Sequence, residues 1–199
     1  MSAAKGTFKN PLHIAEARSA VPAELAAACD LAARATWDLF GEIDSCILTS
    51  HALVAYLRDA GIEAEPVRVS AKAWPKCQQC PGRLLGYEPP GWPRRAASEP
   101  GMWKGHLAVA CQGNLLDATI EQVNNECIHL APVVFALYPE WEEGRWLDMI
   151  NDEGTHIQYS RCWRQIGFKS APDSRPSHWR DITERMHQLA EADISEAAA

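Results

Sequence analysis

Apolar positions recur at helical spacing over residues 22–40, where Leu25, Ala28, Leu31, Ala32, Ala35 and Leu39 fall on one face. The pattern predicts a first helix, and Gly41 offers the left-handed turn at which helices end. A second helical run follows through Ile47, Leu48, Leu53, Val54 and Leu57, with Asp44 or Ser45 as its cap and Gly61 as its stop. Cys46 therefore falls in the first turn of that helix. Residues 62–74 change to alternation around Val67 and Val69, which reads as a strand.

Residues 75–103 carry Pro75, Pro81, Pro89, Pro90, Pro93 and Pro100 among several glycines, and so much punctuation predicts no regular element. Loops of that length tend to be functional, and this one delivers the chain directly to His106, so it is expected to border a site. Residues 105–111 alternate again, Gln112-Gly113-Asn114 is a turn signal, and residues 115–120 give the return strand of a hairpin. Leu107, Val109 and Cys111 share one face of the outgoing strand, while His106 shares the other with the small residues Ala108 and Ala110.

Register then decides whether Asp117 joins His106. With a four-residue loop from Cys111 to Asn114, Ala110 opposes Leu115 and Ala108 opposes Asp117, so the carboxylate lies on the His106 face one diagonal step away. A three-residue loop, Gln112 to Asn114, would turn Asp117 to the Val109 face instead.

Farther on, Val133, Val134, Phe135 and Leu137 form an apolar run suited to burial, and Trp141, Trp146, Trp163 and Trp179 read as core or groove-wall aromatics. A last helix is predicted over about residues 177–190, from a Ser177 cap, with Trp179, Ile182, Met186 and Leu189 on one face. The Ala-rich acidic tail from Glu191 is expected to fray.

Composition narrows the class. A chain of 199 residues that is 47% apolar closes one sizeable core, so the expectation is a single domain over residues 1–199: a core near 22–137, an insert at 75–103 and the C-terminal helix. A net charge of −7 and a pI near 5.5 leave no basic stripe for nucleic acid, and Arg94-Arg95 reads as a solvated loop pair. No apolar stretch is long enough for a bilayer, and residues 1–10 lack the core of a secretory leader, so a soluble cytoplasmic protein with no membrane partner is expected. The seven cysteines, at 29, 46, 77, 80, 111, 127 and 162, form an odd set without scaffold spacing, which favours mostly free thiols in a reducing compartment.

Chemistry enters with Cys46. A thiolate in the first turn of a helix sits at the positive end of the backbone dipole, and an imidazole supported by a carboxylate can activate it. Cys46, His106 and Asp117 supply these three groups in order. Taken singly, each has an ordinary reading: a buried core thiol, a satisfied histidine, a cap near a turn. Their combination in matched surroundings points to catalysis. Ser45 and Ser50 are weaker nucleophile candidates, because no other histidine is better placed. Cys77-Gln78-Gln79-Cys80 has a spacing that suits zinc or a redox pair, yet a second ligand pair is not evident, and two ordinary loop thiols are the simpler reading. Gln122 is a candidate support for the hairpin end.

Three segments carry a resemblance. The run around Cys46, with Ser50, Leu53, Leu57 and Gly61-Ile62-Glu63-Ala64, is followed by Gly105-His106-Leu107-Ala108-Val109 and Leu116-Asp117-Ala118-Thr119-Ile120-Glu121-Gln122. Over about residues 40–123 this order resembles the transglutaminase-like branch of the papain-like cysteine enzyme superfamily. The resemblance implies an α+β fold in which a nucleophile helix packs on an antiparallel sheet carrying the histidine and the aspartate. It implies acyl transfer through a thioester, with Cys46 as nucleophile, His106 as general base and later acid, Asp117 orienting the ring, and no metal or organic cofactor.

An upstream side chain often supplies the oxyanion donor in that family; Trp37, Asp38 and Trp103 are the candidates here, beside the backbone N–H of Cys46. The expected substrate is a protein, peptide or small amide, and hydrolysis and transfer to an amine share the same steps. Two other classes stay open. One is an acyl-CoA-dependent N-acetyltransferase with the same triad, although Glu-Ile-Asp-Ser precedes Cys46 rather than an Arg-Gly-Gly-type approach. The other is an inactive binding or scaffold protein that keeps the fold.

Overall fold

The computed structural model describes residues 22–41, 46–76, 82–86, 105–136, 146–150, 154–161 and 176–198 of the chain. The cap candidates Asp44 and Ser45, the thiols Cys77, Cys80 and Cys162, the Arg94-Arg95 pair, Trp103, Leu137, Trp141 and Trp163 lie outside the described residues.

Among the described residues three α-helices accompany a curled antiparallel sheet, a mixed α+β architecture. Helix α1 (Ala23–Phe40) is built largely from alanine and leucine, which lose little side-chain freedom on coiling, and it ends where Gly41 turns left-handed (φ 67) and returns its N–H to Trp37 O at 2.8 Å. Helix α2 (Cys46–Asp59) ends at Gly61 (φ 76), with Ile62 N–H folded back on Leu57 O at 2.9 Å. Helix α3 (Pro176–Ala197) closes the helical layer.

The strands are β1 (Ala64–Trp74), β2 (Arg83–Leu85), β3 (His106–Cys111), β4 (Asn114–Asp117), β5 (Val133–Ala136), β6 (Trp146–Ile150) and β7 (His156–Arg161). They form a seven-stranded sheet in the order β5-β4-β3-β1-β7-β6, with β2 also paired to β1. Val69 of β1 pairs with both His106 and Arg161, and Ala71 with both Leu85 and Tyr159. So β3 and β2 follow one another along one edge of β1, and β7 takes the other.

Each face of the sheet buries its own core. On one, Ala64, Val109, Cys111 and Leu116 meet Leu25, Leu53, Leu57, Ile182 and Met186 of the helices. On the other, Val67, Val69, Ala71, Ala108 and Leu115 are covered by Ile120, Val123, Ile128 and Leu130 from the segment after β4. Each fully buried aliphatic side chain contributes roughly 1.5–3 kcal/mol. Neutral hydroxyls pin the helical layer: Thr36 Oγ1 donates to Ala32 O at 2.8 Å and lies 2.9 Å from Thr49 Oγ1, and Thr183 Oγ1 donates to Trp179 O at 2.9 Å.

Four expectations change. The loop of residues 75–103 contains a strand after all, because β1 outruns β3 and its residues 71–73 recruit β2. The return strand of the hairpin stops at Asp117 rather than running to residue 120. There the Asp117 carboxylate accepts the Thr119 N–H at 3.0 Å, bending the chain into a short 3-10 turn, Ile120–Val123. Helix α3 starts at Pro176, whose fixed φ suits a first helical position, so Ser177 is inside it rather than its cap. It also runs through the acidic tail to Ala197, where Arg34 grips Asp193 through two hydrogen bonds of 2.8 and 3.0 Å. Of the described cysteines, Cys29, Cys46 and Cys111 are free and Cys127 is disulfide-bonded. No helix among the described residues is long and apolar enough to cross a membrane.

Candidate active site

The β3–β4 turn sets the site. Gln112 (φ 47) and Gly113 (φ 73) both adopt left-handed backbone and close a two-residue turn, so Cys111 pairs with Asn114, Ala110 with Leu115 and Val109 with Leu116. This turn is tighter than a four-residue loop but has the same parity, and Asp117 falls on the face of His106. His106 Nε2 lies 2.6 Å from Asp117 Oδ2, with both side chains essentially inaccessible at 1% and 0% exposure.

The Asp117 carboxylate is saturated. Oδ2 also accepts the Tyr159 hydroxyl at 2.7 Å, while Oδ1 accepts the Thr119 N–H at 3.0 Å and the Thr119 hydroxyl at 3.3 Å. Burial would raise the pKa of this group, but the charge on His106 and the hydrogen bonds from His106, Tyr159 and Thr119 outweigh it and hold the carboxyl below its ordinary range. For His106, burial would lower the pKa; the charge and hydrogen bond of Asp117, with a further contribution from Cys46, push it up to about 10 instead. Burial, joined by the Asp117 charge, raises the Tyr159 phenol well above its usual value, so its hydroxyl stays protonated and is the donor of that contact.

With Nε2 committed to Asp117, the other ring nitrogen is left for Cys46. Nδ1 of His106 is buried and makes no hydrogen bond of full geometry, yet the Cys46 thiol is near enough to stabilise the imidazolium. Cys46 is 6% exposed at the first position of α2 and packs with Ile47 and Leu107. One turn on, Ser50 Oγ donates to Leu107 O at 2.9 Å and ties α2 to the residue beside His106. That bond occupies the Ser50 hydroxyl as a pin; Ser45 lies outside the described residues.

Several contributors were not legible locally. Gly86 (φ +89) is wedged where the edge of β1 passes from β3 to β2: a Cβ there would lie 2.6 Å from Val69 O, 3.0 Å from Ser70 Cα and 3.3 Å from His106 N. Tyr159 sits in the alternating run from His156 to Arg161, which marks a strand, but only the pairing of Tyr159 with Ala71 brings it to Asp117. Thr119 did carry a signal, a hydroxyl residue two positions after an aspartate. Cys29 of α1 places its thiol 3.7 Å from Val133 O, and burial together with the Asp117 charge raises its pKa.

The described side-chain candidates for an oxyanion donor are elsewhere. Asp38 is held by Arg185 at 2.6 Å, and Trp37, 56% exposed, lines a separate surface cleft with Asp30, Arg34 and Glu121. Asp38 is thus engaged by α3, and Trp103, the remaining side-chain candidate, lies outside the described residues. Gln122 is half-buried in the 3-10 turn, its N–H on Thr119 O at 3.1 Å. Among the described residues no group of His, Cys, Asp and Glu is arranged to hold a metal ion, and Cys77 and Cys80 lie outside them. No family model, curated protein or solved structure matches this chain.

Proposed function

We propose that this chain is a cysteine-nucleophile acyl-transfer enzyme of papain-like, transglutaminase-like architecture, acting on an amide or ester of a peptide, a protein or a small molecule. One observation carries the reading: a buried imidazole has its Nε2 fixed 2.6 Å from a saturated carboxylate and its Nδ1 left without a hydrogen-bond partner beside a thiol at a helix start. A structural histidine at 1% exposure is normally satisfied on both nitrogens.

Cys46, as the thiolate paired with the His106 imidazolium, attacks the substrate carbonyl carbon, and the oxyanion that forms meets the N-terminal amides of α2. The His106 imidazolium then gives its Nδ1 proton to the departing amine or alkoxide as the carbon–nitrogen or carbon–oxygen bond breaks, leaving a thioester and a neutral ring. Water or an amine attacks the thioester, His106 takes its proton, and the thiolate leaves with the ring protonated again. An imidazole that favours its charged form up to about pH 10 starts this cycle as acid rather than base. Throughout, Asp117 holds the ring so that Nδ1 faces sulfur. The steps need no metal or organic cofactor.

The test is thiol reactivity near neutral pH, read by peptide mapping after limited iodoacetamide treatment. Cys46 is expected to alkylate about tenfold or more faster than Cys29 and Cys111, and to lose that advantage in His106→Ala. Equal rates, unchanged by the substitution, would overturn the reading in favour of a non-catalytic scaffold. Protection of Cys46 by acetyl-CoA would move it to the N-acetyltransferase class.

A further inference from the structure

Asp117 Oδ2 serves two donors at once, His106 Nε2 at 2.6 Å and the Tyr159 hydroxyl at 2.7 Å. Tyr159 is fully buried on β7, in the apolar cluster that also holds Val69, Ala71, Ala108 and Ile157, so it touches no substrate. A buried hydroxyl beside a carboxylate that Thr119 and His106 already satisfy is more than burial requires. Its position on the same oxygen as the imidazole gives it an effect. The positive end of the O–H dipole points at Oδ2 and draws part of the carboxylate charge away from the ring, so Asp117 favours the imidazolium less and the Nδ1 proton is released more readily.

We infer that Tyr159 is a positioning residue for His106: by sharing Asp117 Oδ2 it fixes the carboxylate plane and eases release of the imidazolium proton in the acyl-transfer cycle. The inference rests on the proposed function for its consequence, since a proton held too tightly is not given to a leaving group. Among the described residues, the titratable groups facing the ring are Asp117 on β4 and Cys46 on α2; those facing Tyr159 are Asp117 and Cys29 on α1. Burial keeps Cys29 a neutral thiol, so it does not compete for the Asp117 charge. Losing the Tyr159 hydroxyl therefore removes one donor from Asp117 Oδ2, while Thr119 still holds Oδ1.

The experiment follows the His106 ring signal by NMR across its alkaline titration in the full-length protein, with His106→Gln identifying the signal. In Tyr159→Phe, which keeps the ring and loses one oxygen, the midpoint is expected to rise by about half a pH unit to one unit. Site-specific replacement of Tyr159 by 3,5-difluorotyrosine makes the phenol a stronger donor and is expected to move it the other way. Opposite shifts from two near-isosteric rings are something packing alone does not produce. Superimposable titrations in all three folded proteins, or a downward shift in Tyr159→Phe, would overturn the assignment; if Tyr159→Phe does not fold, the fluorinated protein decides alone. Cys46 alkylation measured on the same samples separates the two claims. Ordinary Cys46 reactivity with a moved titration defeats the acyl-transfer reading and leaves the tuning of His106 by Tyr159 intact, whereas fast Cys46 alkylation with an unmoved titration does the reverse.

Discussion

The two faces of the sheet bury polar groups in opposite ways. Under the helices, Thr36, Thr49, Ser50 and Thr183 are neutral and discharge their hydroxyls onto a nearby carbonyl or each other. The Thr36–Thr49 contact joins α1 to α2 and Ser50 ties α2 to β3, while Thr36 and Thr183 also bond carbonyls of their own helices. On the other face lie His106 and Asp117, two ionisable groups at 1% and 0% exposure, with an apolar set that could have been filled by hydrocarbon. A buried ion pair is a weak source of net stability, because desolvation offsets most of the attraction. Here one ring nitrogen is also left without a hydrogen bond beside Cys46, and that is the observation on which the proposed acyl-transfer function rests.

Breaking one member on each face gives the largest contrast. Asp117→Asn is expected to slow turnover by about a thousandfold or more by misorienting the ring, and to cost about 3 kcal/mol or more in chemical denaturation because His106 and Tyr159 lose a charged acceptor. Thr49→Val, on the helical face, is expected to cost about 1 kcal/mol and leave Cys46 alkylation at its normal rate. Equal stability losses would erase the distinction.

Gly86→Ala comes next. With a Cβ 2.6 Å from Val69 O at φ +89, the backbone has to shift beside His106 N, so a loss of about 2 kcal/mol is expected together with slower Cys46 alkylation. A smaller effect comes with pH. Raised from 6.5 to about 10 on folding, His106 contributes stability that is whole below about pH 6.5 and is lost as pH rises to about 10. Asp117, held below its ordinary 3.8, contributes above that value and loses its share only as acid titrates the folded carboxyl. Tm is expected to fall from neutral toward pH 10 in the parent protein and to fall less in His106→Gln; a flat parent profile would contradict the pairing. Least of all, Asp193→Ala is expected to fray the last turns of α3, seen as faster amide exchange there, with Tm unchanged, since the Arg34 contact is solvent-exposed.

What the chain reveals by itself follows the range of each interaction. The span of α1 and the stop at Gly61 are set by neighbours within a few residues and are legible from spacing and turn residues. The parity of the 106–117 hairpin, by contrast, stays open in the sequence between two loop lengths and is decided by the left-handed backbone of Gln112 and Gly113. Strand β2 was hidden because three residues between glycines carry no periodicity, and only the unpaired edge of β1 gives them a place. The length of α3 was hidden because its tail looks solvated until Arg34, on a different helix, reaches Asp193. In the site, His106 and Asp117 are close in sequence and could be paired on paper. Tyr159 could not, since its approach to Asp117 depends on β7 lying along the edge of β1 opposite β3.

The most direct test of the central claim is to treat the protein with p-nitrophenyl acetate and locate the acetyl group by mass spectrometry within the burst phase. The expected result is a single acetyl on Cys46, formed with a burst of p-nitrophenol and removed by hydroxylamine, and absent in Cys46→Ala and His106→Ala. Acetylation scattered over surface lysines, with no burst and no change in either variant, would contradict it.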